Sequence, residues 1–346
     1  MQKINYLITP AAFVVVVAGM RAAESLLIPF LLAVFIAVIC APSVFWLQRK
    51  GLPTICAVLA VTLIILGMEV ALVTLIGTSI NDFSSNLPFY QRRLTEEATN
   101  FVTLLNRMGI EFSAKSLLSY VDPGAAMRLT ANVLASLGSV LTNTFFIILT
   151  MVFILLEAAT IPAKLKMAFD HVDDSKLHDF TSSLNRYMAI KTAASFGTGL
   201  AVTLLLEILG VDYPILWGIL AFLLNFVPNI GSIIAAIPPV LLGFIQFGPG
   251  KMLAVVIGFT VINILVGNVI EPRYMGRGLG LSTLIVFLSL VFWGWVFGPI
   301  GMLLSVPLTM TMKIALESRE DTRWLAILLG PEPQLPKPEK GQTSSD

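Results

Sequence analysis

The chain has 346 residues, 56% hydrophobic and 12% charged, with a formal net charge of +1. A soluble domain carries about 25% charged residues, so this composition cannot clothe a water-facing surface, and the near-neutral balance excludes a nucleic-acid footprint. A mean hydropathy of +0.87 and apolar blocks near the roughly 20 residues that cross a hydrocarbon core predict an all-α polytopic protein in the lipid bilayer.

In lipid the backbone must satisfy its own hydrogen bonds, so the blocks are helices. The alternation of a barrel strand is absent. About eight hydrophobic segments are expected. The N-terminal unit, 1–80, holds spans at Leu7–Met20, Leu26–Leu47 and Ile55–Ile80. The first run passes through Arg21 and Glu24 into the second without a cleavage site, unlike a signal peptide. Cys40 and Cys56 lack metal-like spacing and read as small apolar residues. Region 81–141 reads as an external amphipathic helical region, because Leu94, Ala98, Phe101, Val102, Leu105 and Met108 recur at helical spacing. Region 142–192 combines a fourth span, Thr142–Ala159, with a cytoplasmic linker helix.

The C-terminal transmembrane region, 193–316, is more broken. Span five, Ala193–Leu209, is ordinary. The segments 215–247 and 281–316 are long for single crossings, and Pro and Gly interrupt each: Asn225-Phe-Val-Pro-Asn-Ile-Gly231 and Phe297-Gly-Pro-Ile-Gly301. Pro228-Asn-Ile-Gly231 is followed, after Ser232, by Ile-Ile-Ala-Ala-Ile and Pro238. Pro299-Ile-Gly301 is followed by Met-Leu-Leu-Ser-Val and Pro307. The likeness is what a duplicated broken hairpin would leave. Between the two runs Met252–Ile270. The part 317–346 is a cytoplasmic tail, disordered from Pro331.

Sidedness follows from Lys and Arg. A cytoplasmic N-terminus puts Lys3, Arg49, Lys50, the basic residues of 161–191, Arg273, Arg277 and those of the tail on one side. The scheme closes only if each broken segment enters and leaves on the same side, as a hairpin does.

No enzyme motif is present, and no cofactor or metal is expected. His171 and His178 lack a third ligand. Gly276-Arg-Gly278-Leu-Gly280 has neither a preceding strand nor a Walker lysine. A charge in hydrocarbon is expensive and marks function, which makes Glu69 the candidate carboxylate for a proton or cation. Proline frees a backbone carbonyl, tolerated at membrane depth only beside a cavity or inside protein. Broken helices of this kind form substrate sites in transporters. The expected substrate or ion path is therefore Asn225, Pro228, Asn229, Gly231, Ser232, Pro299 and Gly301, with Glu271 and Arg273 as an ion pair or gate. A sodium (lithium)/proton antiporter using Glu69 or Glu271 is the alternative; a non-transporting scaffold or regulator is the alternative of another class.

Three blocks carry a resemblance. Leu216-Trp-Gly-Ile-Leu-Ala-Phe-Leu-Leu-Asn-Phe-Val-Pro-Asn-Ile-Gly231 leads to Ala-Ala-Ile-Pro-Pro239. Asn268-Val-Ile-Glu-Pro-Arg-Tyr-Met-Gly276 leads to Gly-Leu-Gly-Leu-Ser282. Phe297 to Pro307 completes the set. In this order and spacing they resemble the autoinducer-2 exporter (AI-2E) family of bacterial inner-membrane transporters. Many relatives have His-Pro where this chain has Ser282-Thr283. The resemblance implies a homo-oligomeric secondary transporter of a small polar solute, such as autoinducer-2, or of ions.

Overall fold

The computed structural model describes residues 2–107, 144–158, 174–228, 230–275, 281–317 and 320–331. Asn229, His171, the glycine run 276–280, the second half of the external region and the tail from residue 332 lie outside the described residues.

Helices account for nearly all of what is described. They are α1 (Gln2–Ala22), α2 (Glu24–Arg49), α3 (Thr54–Arg107), α4 (Thr144–Ala158), α5 (Asp174–Leu209), α6 (Pro214–Leu224), α7 (Ile230–Phe247) and α8 (Pro249–Asn263). A π-helix, Ile264–Ile270, follows, then α9 (Glu271–Met275), α10 (Thr283–Glu317) and α11 (Arg323–Leu328). Among the described residues six helical stretches are long and apolar enough to cross a membrane: Glu24–Arg49, Thr54–Ser79, Leu184–Leu209, Ile230–Phe247, Pro249–Tyr274 and Thr283–Glu317.

Two boundaries differ from the expectation. α3 does not stop near Ile80 but runs unbroken for 54 residues, about 80 Å at 1.5 Å per residue. Its buried face carries on across the change from apolar to polar composition, through Ile76, Phe83, Tyr90, Leu94 and Val102. Likewise the linker and span five form one helix, α5, without a break near Lys191. Hydropathy marks where lipid ends; helical hydrogen bonding has no reason to end there.

Both broken segments are hairpins. α6 has 11 residues, about 16 Å, too short for a core of roughly 30 Å. The chain turns at 225–228 and returns as α7, and at the open end the Asp212 amide donates to Gln246 Oε1 at 3.3 Å. α10 folds back at Phe297 and Gly298, where the glycine takes φ 62°, a left-handed conformation that Gly adopts without the Cβ penalty. Its arms run antiparallel, so Gly294 lies against Met302 and Val286 shares a cluster with Met310. Trp293 Nε1 donates to Thr309 Oγ1 across the arms at 3.0 Å.

The hairpins open at opposite ends of the bundle. α5 fixes the directions, since Tyr187 and Met188 at its beginning pack with Leu281, Val306 and Met310 of the second hairpin. At its far end the Leu209 carbonyl accepts from Lys251 Nζ at 2.6 Å, beside the base of the first. Each apex is tight in the same way. A Cβ on Gly231 would lie 1.8 Å from the Leu224 carbonyl oxygen, and one on Gly301 would lie 1.9 Å from that of Trp293.

Helices in lipid gain little from burying apolar surface and rely on close packing and small residues. Gly199 of α5 and Gly218 of α6 supply this: each backbone oxygen sits 2.7 Å from where the other's Cβ would be. The first hairpin then encloses Trp217, fully buried with Val202, Leu206, Leu242 and Ile245. The outer stretch of α3 clasps its open end. Tyr90 OH donates to Asp212 Oδ2 at 2.8 Å, Trp217 Nε1 to the Asp212 carbonyl at 2.9 Å, and Phe83 meets Tyr213 and Trp217 edge-on. Tyr213 holds φ 60°, rare for a non-glycine residue.

Candidate functional site

The turn of the first hairpin ends in a polar cluster built from three elements. α5 offers Lys191, Ser195 and Thr198, spaced i, i+4 and i+7 on one buried face. The C-terminal end of α6 offers Asn225. The start of α9 offers Glu271. Lys191 lies 7 residues inside the span beginning at Leu184, about 10 Å along the helix, and Ser195 about 16 Å. Both are buried within the bundle, Lys191 7% and Ser195 0% exposed.

One carboxylate oxygen holds the cluster together. Lys191 Nζ reaches Glu271 Oε1 at 2.6 Å, with the two side chains 9% and 14% exposed. Asn225 Nδ2 donates to Ser195 Oγ at 2.9 Å and, at the long distance of 3.4 Å, to the same Glu271 oxygen. Tyr187, one turn before Lys191, is buried within electrostatic reach of Glu271. The Thr192 hydroxyl is buried and has no hydrogen-bond partner among the described residues. A charge pair this far from water is costly unless hydrogen-bonded, and inside a membrane it marks a functional region.

The expected residues separate into groups. Asn225 and Glu271 come together. Pro228 sits half-buried in the turn, Gly231 is buried behind it, and Ser232 begins α7 half-buried; Asn229 is outside the described residues. Pro299 is exposed and Gly301 buried at the other apex, beside the cluster of Val17, Trp293 and Phe297. They do not join Asn225, because their hairpin dips in from the opposite end.

Glu271 does not pair with Arg273 as expected. Residues two apart on a helix diverge by about 200°; Arg273 is exposed and Lys191 takes its place. Glu69 is half-buried on α3 and accepts a hydrogen bond from the Thr144 hydroxyl at the start of α4. Lys191 and Ser195 were not expected. Their signal was present in Lys191-Thr-Ala-Ala-Ser195-Phe-Gly-Thr198, a polar stripe at helical spacing, but Lys191 reads as the last residue of the polar linker.

A separate apolar crevice of about 80 Å³ lies between α2, α5 and the second arm of α10, lined by Leu31, Phe35, Val38, Met188 and Pro307. Phe35 joins it to the first hairpin by meeting Phe226 edge-on at 5.6 Å.

The family profile described as AI-2E family transporter matches residues 11–320. The chain is 42% identical to the AI-2 transport protein TqsA of Escherichia coli (strain K12) over 318 residues, 91% of this chain and 92% of that protein. It is 40% identical to a chain of Haemophilus influenzae over 328 residues, 92% and 94% of the two. YhhT of Escherichia coli (strain K12) is 37% identical over 329 residues, 94% of each. The chain belongs to the AI-2E transporter family and is a multi-span membrane transporter of a small solute.

Proposed function

We propose that this AI-2E family member is a secondary exporter of a small polar solute, autoinducer-2 or a close chemical relative, across a bacterial inner membrane. The solute binds at the turn of the first hairpin, against Asn225, Pro228, Asn229, Gly231 and Ser232. The turn at Pro299 and Gly301 lines the other half of the path. Glu271, with Lys191 in the role expected of Arg273, closes the end of the path nearest the cluster. Both chain ends lie in the cytoplasm, following the distribution of Lys and Arg. Several copies assemble, as the resemblance implies.

One observation carries this reading. A helix is broken inside the membrane, and its broken end presents an amide, Asn225, to a buried hydroxyl and a buried carboxylate. Broken helices place binding sites at membrane depth, and a side-chain amide both donates and accepts hydrogen bonds to a polar solute. The 42% identity to a protein named for AI-2 transport supports the choice of solute.

The test is flux of labelled autoinducer-2 in proteoliposomes, with Asn225→Ala beside the unaltered chain. A fall of about tenfold with Asn225→Ala, the loss of one or two hydrogen bonds, supports the site. Equal flux in both places the site elsewhere.

A further inference from the structure

Resting on the transport reading, we infer that Glu271 is the coupling site and that the ion it takes is a proton, with the π-helix before it as the moving part.

The geometry at Glu271 favours a proton over an alkali cation. Lys191 Nζ already lies 2.6 Å from Glu271 Oε1. A metal ion on that oxygen would bring a second positive charge within a few Å of the ammonium, and like charges that close repel strongly away from bulk water. A hard cation would also have to gather several oxygen ligands, while the one Glu271 oxygen is already shared by Lys191 and Asn225. A proton needs one lone pair.

Among the described residues no second carboxylate contacts this cluster. α5 presents Lys191, the buried Tyr187, and Arg186, whose Nη2 donates to the Tyr274 carbonyl at 3.3 Å. Arg273 and Tyr274 on α9 itself are exposed. The end of α6 presents only the uncharged Asn225. The Glu271 carboxylate, which already holds Lys191 and Asn225, is the proton acceptor that the geometry offers in this cluster. The cluster changes from neutral to a net charge of +1, and the attraction across the pair is lost.

What yields is the element carrying Glu271. The π-helix Ile264–Ile270 runs directly into it, and the Glu271 amide bonds five residues back, to the Val266 carbonyl. π-helices are rare and gather at functional sites. Of its seven residues only Val266 is buried, and a Cβ on Gly267 would touch nothing within 4 Å. Within the chain the winding is held mainly through Val266. Returning one residue to α geometry turns everything beyond it by about 100°, enough to swing Glu271 off Lys191. Asn225 then keeps Ser195 but loses Glu271, and the turn of the hairpin is released from α9.

The test uses the full chain in lipid nanodiscs, with Cys40→Ala and Cys56→Ala and spin labels on Ala189→Cys and Tyr274→Cys, both at exposed positions. Acidification should lengthen the label separation by about 5 Å or more, since a turn of about 100° carries a side chain about 5 Å off the helix axis through about 8 Å. Glu271→Gln should hold the long distance at every pH. Lys191→Met, which removes the counter-charge, should likewise hold the long distance at every pH. Sodium or lithium chloride in place of choline chloride at fixed pH should change nothing. A separation indifferent to pH, a pH response that survives Glu271→Gln, or a shift driven by sodium or lithium would each overturn the inference. The measurement needs no solute: a pH-blind label pair in a protein that moves solute removes the coupling site and leaves the transport reading intact. A responsive pair in a protein that moves no autoinducer-2 does the reverse.

Discussion

Lys191 and Glu271 stand 80 positions apart in the chain and meet at 2.6 Å inside the bundle, joining α5 to α9 across the turn of the first hairpin. The contact sets the energetics of the whole cluster, because each partner is tolerable there only in the presence of the other.

Removing either charge alone should therefore cost more than removing both. Lys191→Met and Glu271→Leu are each expected to destabilise by about 3 kcal/mol, the lower end of the cost of leaving a buried charge unpaired. The double variant should fall well short of the sum. Unfolding in bicelles, read as a double-mutant cycle, should give a coupling above about 1 kcal/mol; an additive result would mean the pair is solvated.

The two apex glycines make a matched prediction. Gly231→Ala and Gly301→Ala would each drive a methyl group into a backbone carbonyl. Each should lose about 3 kcal/mol, the upper end for overpacking, or fail to accumulate. Gly197→Ala is the control: nothing lies within 4 Å of that position, and Ala is the better helix former. Thermal unfolding in detergent should leave Gly197→Ala at or above the parent.

Tyr90→Phe should loosen the clasp between α3 and the first hairpin. The hydrogen bond to Asp212 is part-buried, so a loss of about 1 kcal/mol is expected below neutral pH. The pH dependence has a definite sign. Burial first, and then the bond to Asp212, push the Tyr90 phenol well above its ordinary range. A group whose folded-state value is raised stabilises fully below the unfolded value of about 10 and loses that contribution as pH climbs beyond it. The parent should thus converge on Tyr90→Phe between about pH 10 and higher values, measured by unfolding at a series of alkaline pH values. A constant gap would mean the hydroxyl is not engaged.

Much of this architecture is legible in the residues. Apolar block lengths give the spans, and the Pro/Gly breaks combined with the distribution of Lys and Arg call for hairpins at 215–247 and 281–316, which the structure contains. Three things are not legible, each for a physical reason. The outward continuation of α3 hides because composition reports the surrounding solvent, while Phe83, Tyr90 and Leu94 keep one helical face through the change. The partner of Glu271 hides because local spacing offers only Arg273, and Lys191 becomes a neighbour only after the hairpin forms. The π-helix hides because one extra residue in a turn leaves no mark in an apolar stretch such as Ile264-Leu-Val-Gly-Asn-Val-Ile270.

The unbroken length of α3 also makes it a pointer. From Ser79 to Arg107 the helix continues about 40 Å past the apolar span at 1.5 Å per residue and stays helical through Pro88. A tilt of about 5° at the membrane would swing its tip by about 3.5 Å over that length. Because Tyr90 grips Asp212 at the mouth of the first hairpin, rocking of that hairpin should be displayed, magnified, far from the lipid, and whatever holds the tip still would brake it.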